Sequence, residues 1–170
     1  TDSIIDCSQK AGGVLGAVGG NNVIVEQNSS RGTVSGLLYA GGFVSQVLKD
    51  ATNFVDFHDN YSRATVKSND IAGGFVGSGG AVFTRCFSSG KVQKIDTESR
   101  FGGFAGQIYN TGTLTGSFWD TIASGQSSSL LGIGATTTGM LGATLYTSYD
   151  PAVWSFNSLD YPKLLWETIP

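Results

Sequence analysis

Ala72-Gly73-Gly74-Phe75-Val76-Gly77 decides how this sequence is read. The same pattern stands at Ala11-Gly12-Gly13-Val14-Leu15-Gly16, at Ala40-Gly41-Gly42-Phe43-Val44-Ser45 and at Phe101-Gly102-Gly103-Phe104-Ala105-Gly106. The first glycines of the four copies lie 29, 32 and 29 residues apart. A fixed period of this size is the mark of stacked supersecondary units, each unable to bury its apolar face alone. It moves the question of function from a pocket to a surface.

Working outward from the glycine pairs, a second half-motif follows each of the first three. The copies align as Asn28-Ser29-Ser30-Arg31-Gly32-Thr33-Val34, Asn60-Tyr61-Ser62-Arg63-Ala64-Thr65-Val66 and Cys86-Phe87-Ser88-Ser89-Gly90-Lys91-Val92. A fourth copy drifts into Ser117-Phe118-Trp119-Asp120-Thr121-Ile122. Short apolar runs bounded by Gly, Ser and Asn, such as Val23-Ile24-Val25, Ala81-Val82-Phe83 and Lys91-Val92-Gln93, read as strands. No helical period is visible in residues 1–116. A sandwich of hairpins would need no 29-residue self-similarity.

These features predict an all-β fold: a right-handed parallel β-solenoid of about four coils of 29–32 residues, each with about three short strands. The repeats occupy 1–116, with copies starting near 11, 40, 72 and 101. Residues 117–170 form the last coil and an aromatic-rich C-terminal cap. Parallel stacking at ~4.8 Å would align equivalent residues in ladders. Val14, Phe43, Phe75 and Phe104 form one interior ladder on this reading, and Val34, Val66 and Val92 another. The glycine pairs supply tight corners, by positive φ or close backbone approach. A short helical stretch is expected near residues 136–141. Trp154, Phe156, Tyr161, Leu164, Leu165 and Trp166 are expected to lie over the last coil.

The paired half-motifs resemble the GLUG-motif repeat. The block Gly116-Ser117-Phe118-Trp119-Asp120 with Ser124-Gly125-Gln126 is similar to the segment that closes GLUG arrays. So is its sequel through Thr136-Thr137, Met140, Trp154, Tyr161-Pro162 and Trp166. The likeness covers roughly residues 11–166. Ser45, Ala64 and Phe101 depart from the pattern. The resemblance implies a module of a large bacterial surface or secreted protein, or of a phage protein.

Composition narrows the function classes. Gly is 25 of 170 residues, about twice the usual ~7%, and charged residues are 14% against ~25%. A net charge of −3 with ten scattered Lys and Arg argues against nucleic acid. No run approaches the ~18–20 apolar residues of a membrane-spanning helix, and no secretory signal is recognisable. The chain opens partway through a repeat, so it reads as a piece of something longer, and its N-terminal face would need upstream coils of its parent chain.

Cys7 and Cys86, 79 residues apart, read as two small buried apolar residues, with a disulfide as the alternative. One histidine and two cysteines leave too few ligands for a structural zinc site or a zinc protease. A serine triad would have to use His58 and lacks a Gly-x-Ser-x-Gly elbow. Asp56, Asp59, Asp96 and Glu98 are the carboxylates that a glycan-cleaving solenoid or a calcium site would use, but no Asp-x-Asp-x-Asp loop is present. Gly77-Ser78-Gly79-Gly80 lacks the ending of a phosphate loop and reads as a turn. Thr33 and Thr65 align, but Lys91 breaks the flat threonine ladder that an ice-binding face requires.

Two places carry a contact hypothesis. From first glycine to aligned valine the three coils count 22, 25 and 19 residues, Gly12–Val34, Gly41–Val66 and Gly73–Val92. The second coil's surplus falls in 49–60, and insertions in solenoids project as loops on a binding face. Asp56, Phe57, His58, Asp59 and Asn60 are therefore the candidate contact residues. Arg31 and Arg63 occupy equivalent positions in adjacent coils and would repel unless solvated or bridged by an anion, such as a glycan carboxylate. The expected function is a non-enzymatic extracellular module, at the cell surface or secreted, acting in adhesion, in binding a cell-surface glycan or protein, or as a rigid spacer. No cofactor or metal is expected. The alternatives are a virion part, a phage tail-fibre or tailspike domain that binds host glycan as a homotrimer, and a polysaccharide-cleaving β-helix enzyme.

Overall fold

The computed structural model describes residues 3–48, 54–95, 100–109 and 111–168. It is a parallel β-solenoid of about four turns. Each turn contains five short strands rather than three, so the stack has five walls. The first wall is Ser3–Cys7, Gly32–Gly36, Thr65–Ser68 and Val92–Lys94, and the second is Lys10–Gly12, Tyr39–Gly41, Ile71–Gly73 and Arg100–Gly102. The third is Leu15–Gly19, Val44–Leu48, Val76–Ser78 and Ala105–Gln107. The fourth is Val23–Glu26, Val55–His58, Val82–Thr84 and Thr113–Thr115. The fifth is Ser29–Ser30, Tyr61–Ser62, Phe87–Ser88 and Phe118–Asp120, extended by Ile133–Ala135. All pairings between walls' successive strands are parallel.

The predicted ladders are present. Val34, Val66 and Val92 are in register on the first wall and buried. Phe43, Phe75 and Phe104 stack with centroids 4.7 and 4.9 Å apart and planes within 3°. Phe57 and Phe83 form a second stack at 5.4 Å that meets the first edge-on. The positive ring edge against the negative ring face makes that meeting favourable. Val14 tops the phenylalanine ladder but is 37% exposed, because no coil lies above it in the structure.

The glycine pairs work by close approach. Their φ values are not positive. A Cβ on Gly42 would overlap the Gly74 carbonyl oxygen of the next coil and the Ser62 hydroxyl. The corner continues the coil-to-coil bonding, Gly42 N–H donating to the Gly73 oxygen at 3.1 Å and Gly74 N–H to the Gly102 oxygen at 3.2 Å. Inward serines back the same corner, Ser30 Oγ donating to Gly42 O at 2.6 Å and Ser88 Oγ to Gly103 O at 2.7 Å.

The two ends of the stack differ. At the C-terminal end, residues 121–135 fold over the last coil and meet its open edge. Val92 N–H donates to Ser124 O at 3.0 Å. Ser129 Oγ accepts from Phe104 N–H at 3.0 Å and Ala105 N–H at 2.9 Å. Trp119 closes the interior below Phe104. At the N-terminal end, Ile5, Leu15, Val18, Val23 and Val25 are only partly buried. Their register partners Val34, Val44, Val47, Val55 and Phe57 are fully buried.

The aromatic C-terminal segment lies elsewhere than expected. It does not cap the last coil; it runs along the outside of the fifth wall, back toward the first coil. Strand alternation explains this, because Tyr61, Phe87 and Phe118 face outward while Ser62, Ser88 and Trp119 face in. Tyr61 and Phe87 stack at 4.8 Å. Trp154, Tyr146, Tyr149, Met140 and Leu164 cover them as a second core. The expected helical stretch is a single 3-10 turn, Thr138–Met140. Trp154–Ser155 pairs with Lys163–Leu164 as a small antiparallel hairpin.

Cys7 and Cys86 are both free. Cys86 is buried as expected, its thiol directed at the Phe57 carbonyl oxygen at 3.3 Å, and burial raises its pKa. Cys7 is exposed, because its strand lies on the uncovered first coil.

Candidate functional site

The corner between the fourth and fifth walls organises the region that the sequence singled out. One residue per coil adopts a left-handed conformation there: Gln27 (φ 55°), Asp59 (φ 56°), Arg85 (φ 52°) and Gly116 (φ 56°). Only the last is glycine, so the strain of this turn is carried by side chains in three coils. The next residue locks the corner. Asn60 Oδ1 accepts from Asn28 N–H at 2.9 Å and its Nδ2 donates to Val25 O at 2.7 Å. Ser117 Oγ accepts from Cys86 N–H at 3.0 Å.

Asp59 is the centre of a polar network. Arg85 Nε and Nη2 donate to its two carboxylate oxygens, and Trp154 Nε1 donates to Oδ1 at 2.8 Å. His58 Nδ1 lies 3.2 Å from Oδ2, and His58 Nε2 lies 3.3 Å from Glu26. Burial works to raise the Asp59 carboxyl, but the bonds from Arg85, Trp154 and His58 outweigh it and hold the group below its ordinary value.

The five candidate contact residues therefore do not form a projecting loop. Phe57 is in the core, and Asp59 and Asn60 are buried in the corner; only Asp56 and His58 are partly exposed, on the fourth wall. The coil's surplus precedes the strand Val55–His58, not these residues. Residues 49–53 of the predicted loop, and the candidate carboxylates Asp96 and Glu98, lie outside the described residues. Asp59 is buried, and both of its carboxylate oxygens accept hydrogen bonds. Among the described residues no cluster of three or more His, Cys, Asp or Glu is placed to hold a metal ion. Among them too, no helix is long and apolar enough to cross a membrane.

Arg31 and Arg63 line one cleft, but each is paired with its own carboxylate from the C-terminal segment along the fifth wall, the strap. Arg31 Nη2 donates to Tyr61 Oη at 2.6 Å and to Glu167 Oε1 at 3.0 Å. Glu167 also accepts from Ser29 Oγ, Tyr61 Oη and the Leu164 N–H. Arg63 donates to Asp160 Oδ1 at 3.2 Å and to the Tyr161 and Pro162 carbonyls, and its guanidinium sits over the Tyr61 and Tyr161 rings. Burial and then Glu167 raise the Tyr61 phenol above its ordinary value. No periodicity links Glu167 or Asp160 to the repeats, so the sequence reading had no signal for either.

Beside this clasp an open cleft of about 540 Å³ runs between the first and fifth walls, lined by Ser3, Ile4, Arg31, Thr33, Arg63 and Thr65. A second cleft of about 390 Å³ adjoins it, where Trp166 and Glu167 face Ser3, Gly13 and Arg31. Comparison with family models, with curated proteins and with solved structures gave no match. The GLUG resemblance rests on the repeat motifs themselves.

Proposed function

We propose that this chain is a non-enzymatic solenoid module of a larger extracellular protein, which ends a stack of like coils and presents its walls for contact in adhesion. The observation that supports this is the asymmetry of the two ends. The last coil is bonded over by residues 121–135. The first coil leaves five interior positions half-open, at registers that the second coil buries completely. Another parallel coil is the occupant that fits, because it would repeat an interface already made three times within the chain. The occupied carboxylate of Asp59 supports a structural rather than a catalytic use of the acids in the candidate region.

The test is to place a duplicate of residues 3–31 ahead of Ser3, in the register that joins Ser3 to Gly32. The added coil is expected to raise both the melting temperature and the urea m-value, since it buries Ile5, Val18, Val23 and Val25 of the coil below. An added segment that is digested freely by protease, with the melting temperature unchanged, would overturn the reading.

A further inference from the structure

The cleft between the first and fifth walls repeats with the coils. Ile4, Thr33 and Thr65 are register partners, and Ser3 pairs with Gly32. Arg31 and Arg63 each precede their threonine by two residues, so the second and third rungs read Arg-x-Thr, after a first rung that carries Ser3 and the exposed Ile4. The next rung reads Ser89-Gly90-Lys91, with Lys91 exposed. Polar groups thus recur along the stack axis at the ~4.8 Å spacing of parallel strands. A sugar residue in an extended polysaccharide advances by a similar distance.

Arg31 has donors to spare. A guanidinium carries five N–H groups. The Arg31 bonds to Tyr61 and Glu167 use Nη2 alone, which leaves Nε and Nη1 without a hydrogen-bond partner among the described residues. The side chain is 40% exposed, yet its position is fixed by Glu167 and by the Tyr61 ring beneath it. A donor held in place before binding loses little entropy when a ligand arrives.

Charge favours an anion. Arg31, Arg63 and Lys163 meet Glu167 and Asp160, which leaves one positive charge in the clasp. On the first wall Lys67 and Lys91 add two positive charges and Asp6, in register with Ser35 and Lys67, removes one, in a chain whose net charge is −3. Trp166 stands half-exposed in the adjoining cleft, its Nε1 bonded to Gln27 O at 3.1 Å. An indole face so anchored is a surface for the C–H face of a pyranose. Threonine hydroxyls and an open trough suit a chain of hydroxylated rings better than a flat base or a peptide's apolar anchors.

We infer that this trough binds an anionic polysaccharide of carboxylated sugars, laid along the solenoid axis, with a carboxylate on the free Nε and Nη1 donors of Arg31 and a ring against Trp166. The trough of Arg31, Thr33, Arg63 and Thr65 lies on the outer walls and does not rest on extension of the stack; the Trp166 cleft borders the open edge of the first coil at Ser29–Ser30, so binding is measured on the chain without an added coil.

The experiment is calorimetric titration of the whole chain with oligogalacturonate, with a neutral glucan, poly-glutamate and dextran sulfate as comparison probes. Oligogalacturonate is expected to bind and the neutral glucan not. Arg31→Gln should weaken binding about tenfold, the loss of roughly one charged hydrogen bond. Because Arg31 also holds Glu167, a second variant, Thr65→Glu, places a like charge in the trough without touching the strap and should abolish binding with circular dichroism unchanged. Absence of oligogalacturonate binding overturns the proposal. So does equal binding of poly-glutamate or dextran sulfate, which would mark a charge-only surface, and so does full binding by the folded Thr65→Glu variant.

Discussion

Arg85 and Asp59, one coil apart on the same left-handed corner, form a side-on pair, Nε to Oδ1 at 2.7 Å and Nη2 to Oδ2 at 2.6 Å. The corner that strains both backbones also aims their side chains at one another, and Trp154 of the strap seals the pair from outside. Asp59→Asn keeps a residue tolerant of positive φ but cannot accept all three donors. It should lower stability by about 2 kcal/mol, the scale of a charged hydrogen-bond network, in urea titrations at neutral pH.

The same pair sets an acid limit. The folded-state pKa of Asp59 is depressed, and so is that of Asp160, where burial is outweighed by Lys163 and Arg63. The unfolded chain therefore takes up these protons first. Their stabilisation is complete above the unfolded carboxylate value near ~4 and is lost as pH falls through the lower folded values. The urea midpoint of the native chain should drop steeply below about pH 4, and Asp59→Asn should flatten that drop.

Phe75 lies between two rings and against two more. Phe75→Ala should cost about 3–5 kcal/mol, as for other aromatic truncations in packed interiors. Val14→Ala at the open end of the same ladder should cost well under ~1 kcal/mol, because its side chain leaves no closed cavity. Equal costs measured by urea unfolding would contradict the ladder's polarity.

Tyr61 joins the strap to the stack through Glu167, and its raised pKa gives the opposite pH response. The folded state disfavours the phenolate, so the clasp is at full strength below the unfolded value near ~10 and weakens as pH rises through the folded value. Tyr61→Phe should loosen the last turn, Leu165–Thr168, which carries Glu167, seen as faster proteolysis after Leu164 with far-ultraviolet circular dichroism retained.

The ladders were legible because they obey a period: Phe43, Phe75 and Phe104 announce themselves by spacing from a glycine pair. The left-handed corner was not, since Gln27, Asp59 and Arg85 share no side-chain chemistry and only Gly116 is the residue expected at such a turn. Three strands per coil were expected where five exist, because two-residue strands such as Tyr61–Ser62 leave no alternation to read. The strap's placement was hidden for a different reason. Its contacts join residues up to 139 positions apart, Trp166 to Gln27, and depend on which face of a strand Tyr61 occupies. Of the candidate loop 49–60, residues 55–60 are strand and corner, which their alternation of acids and aromatics did not announce.

The strap that returns along the fifth wall brings Glu167 into the same cleft as Ser3. A pull applied between Ser3 and Glu167 would therefore fall first on the Arg31–Glu167 clasp. Load would peel the strap one contact at a time, leaving the stack unstretched, as a finger hangs from a tendon.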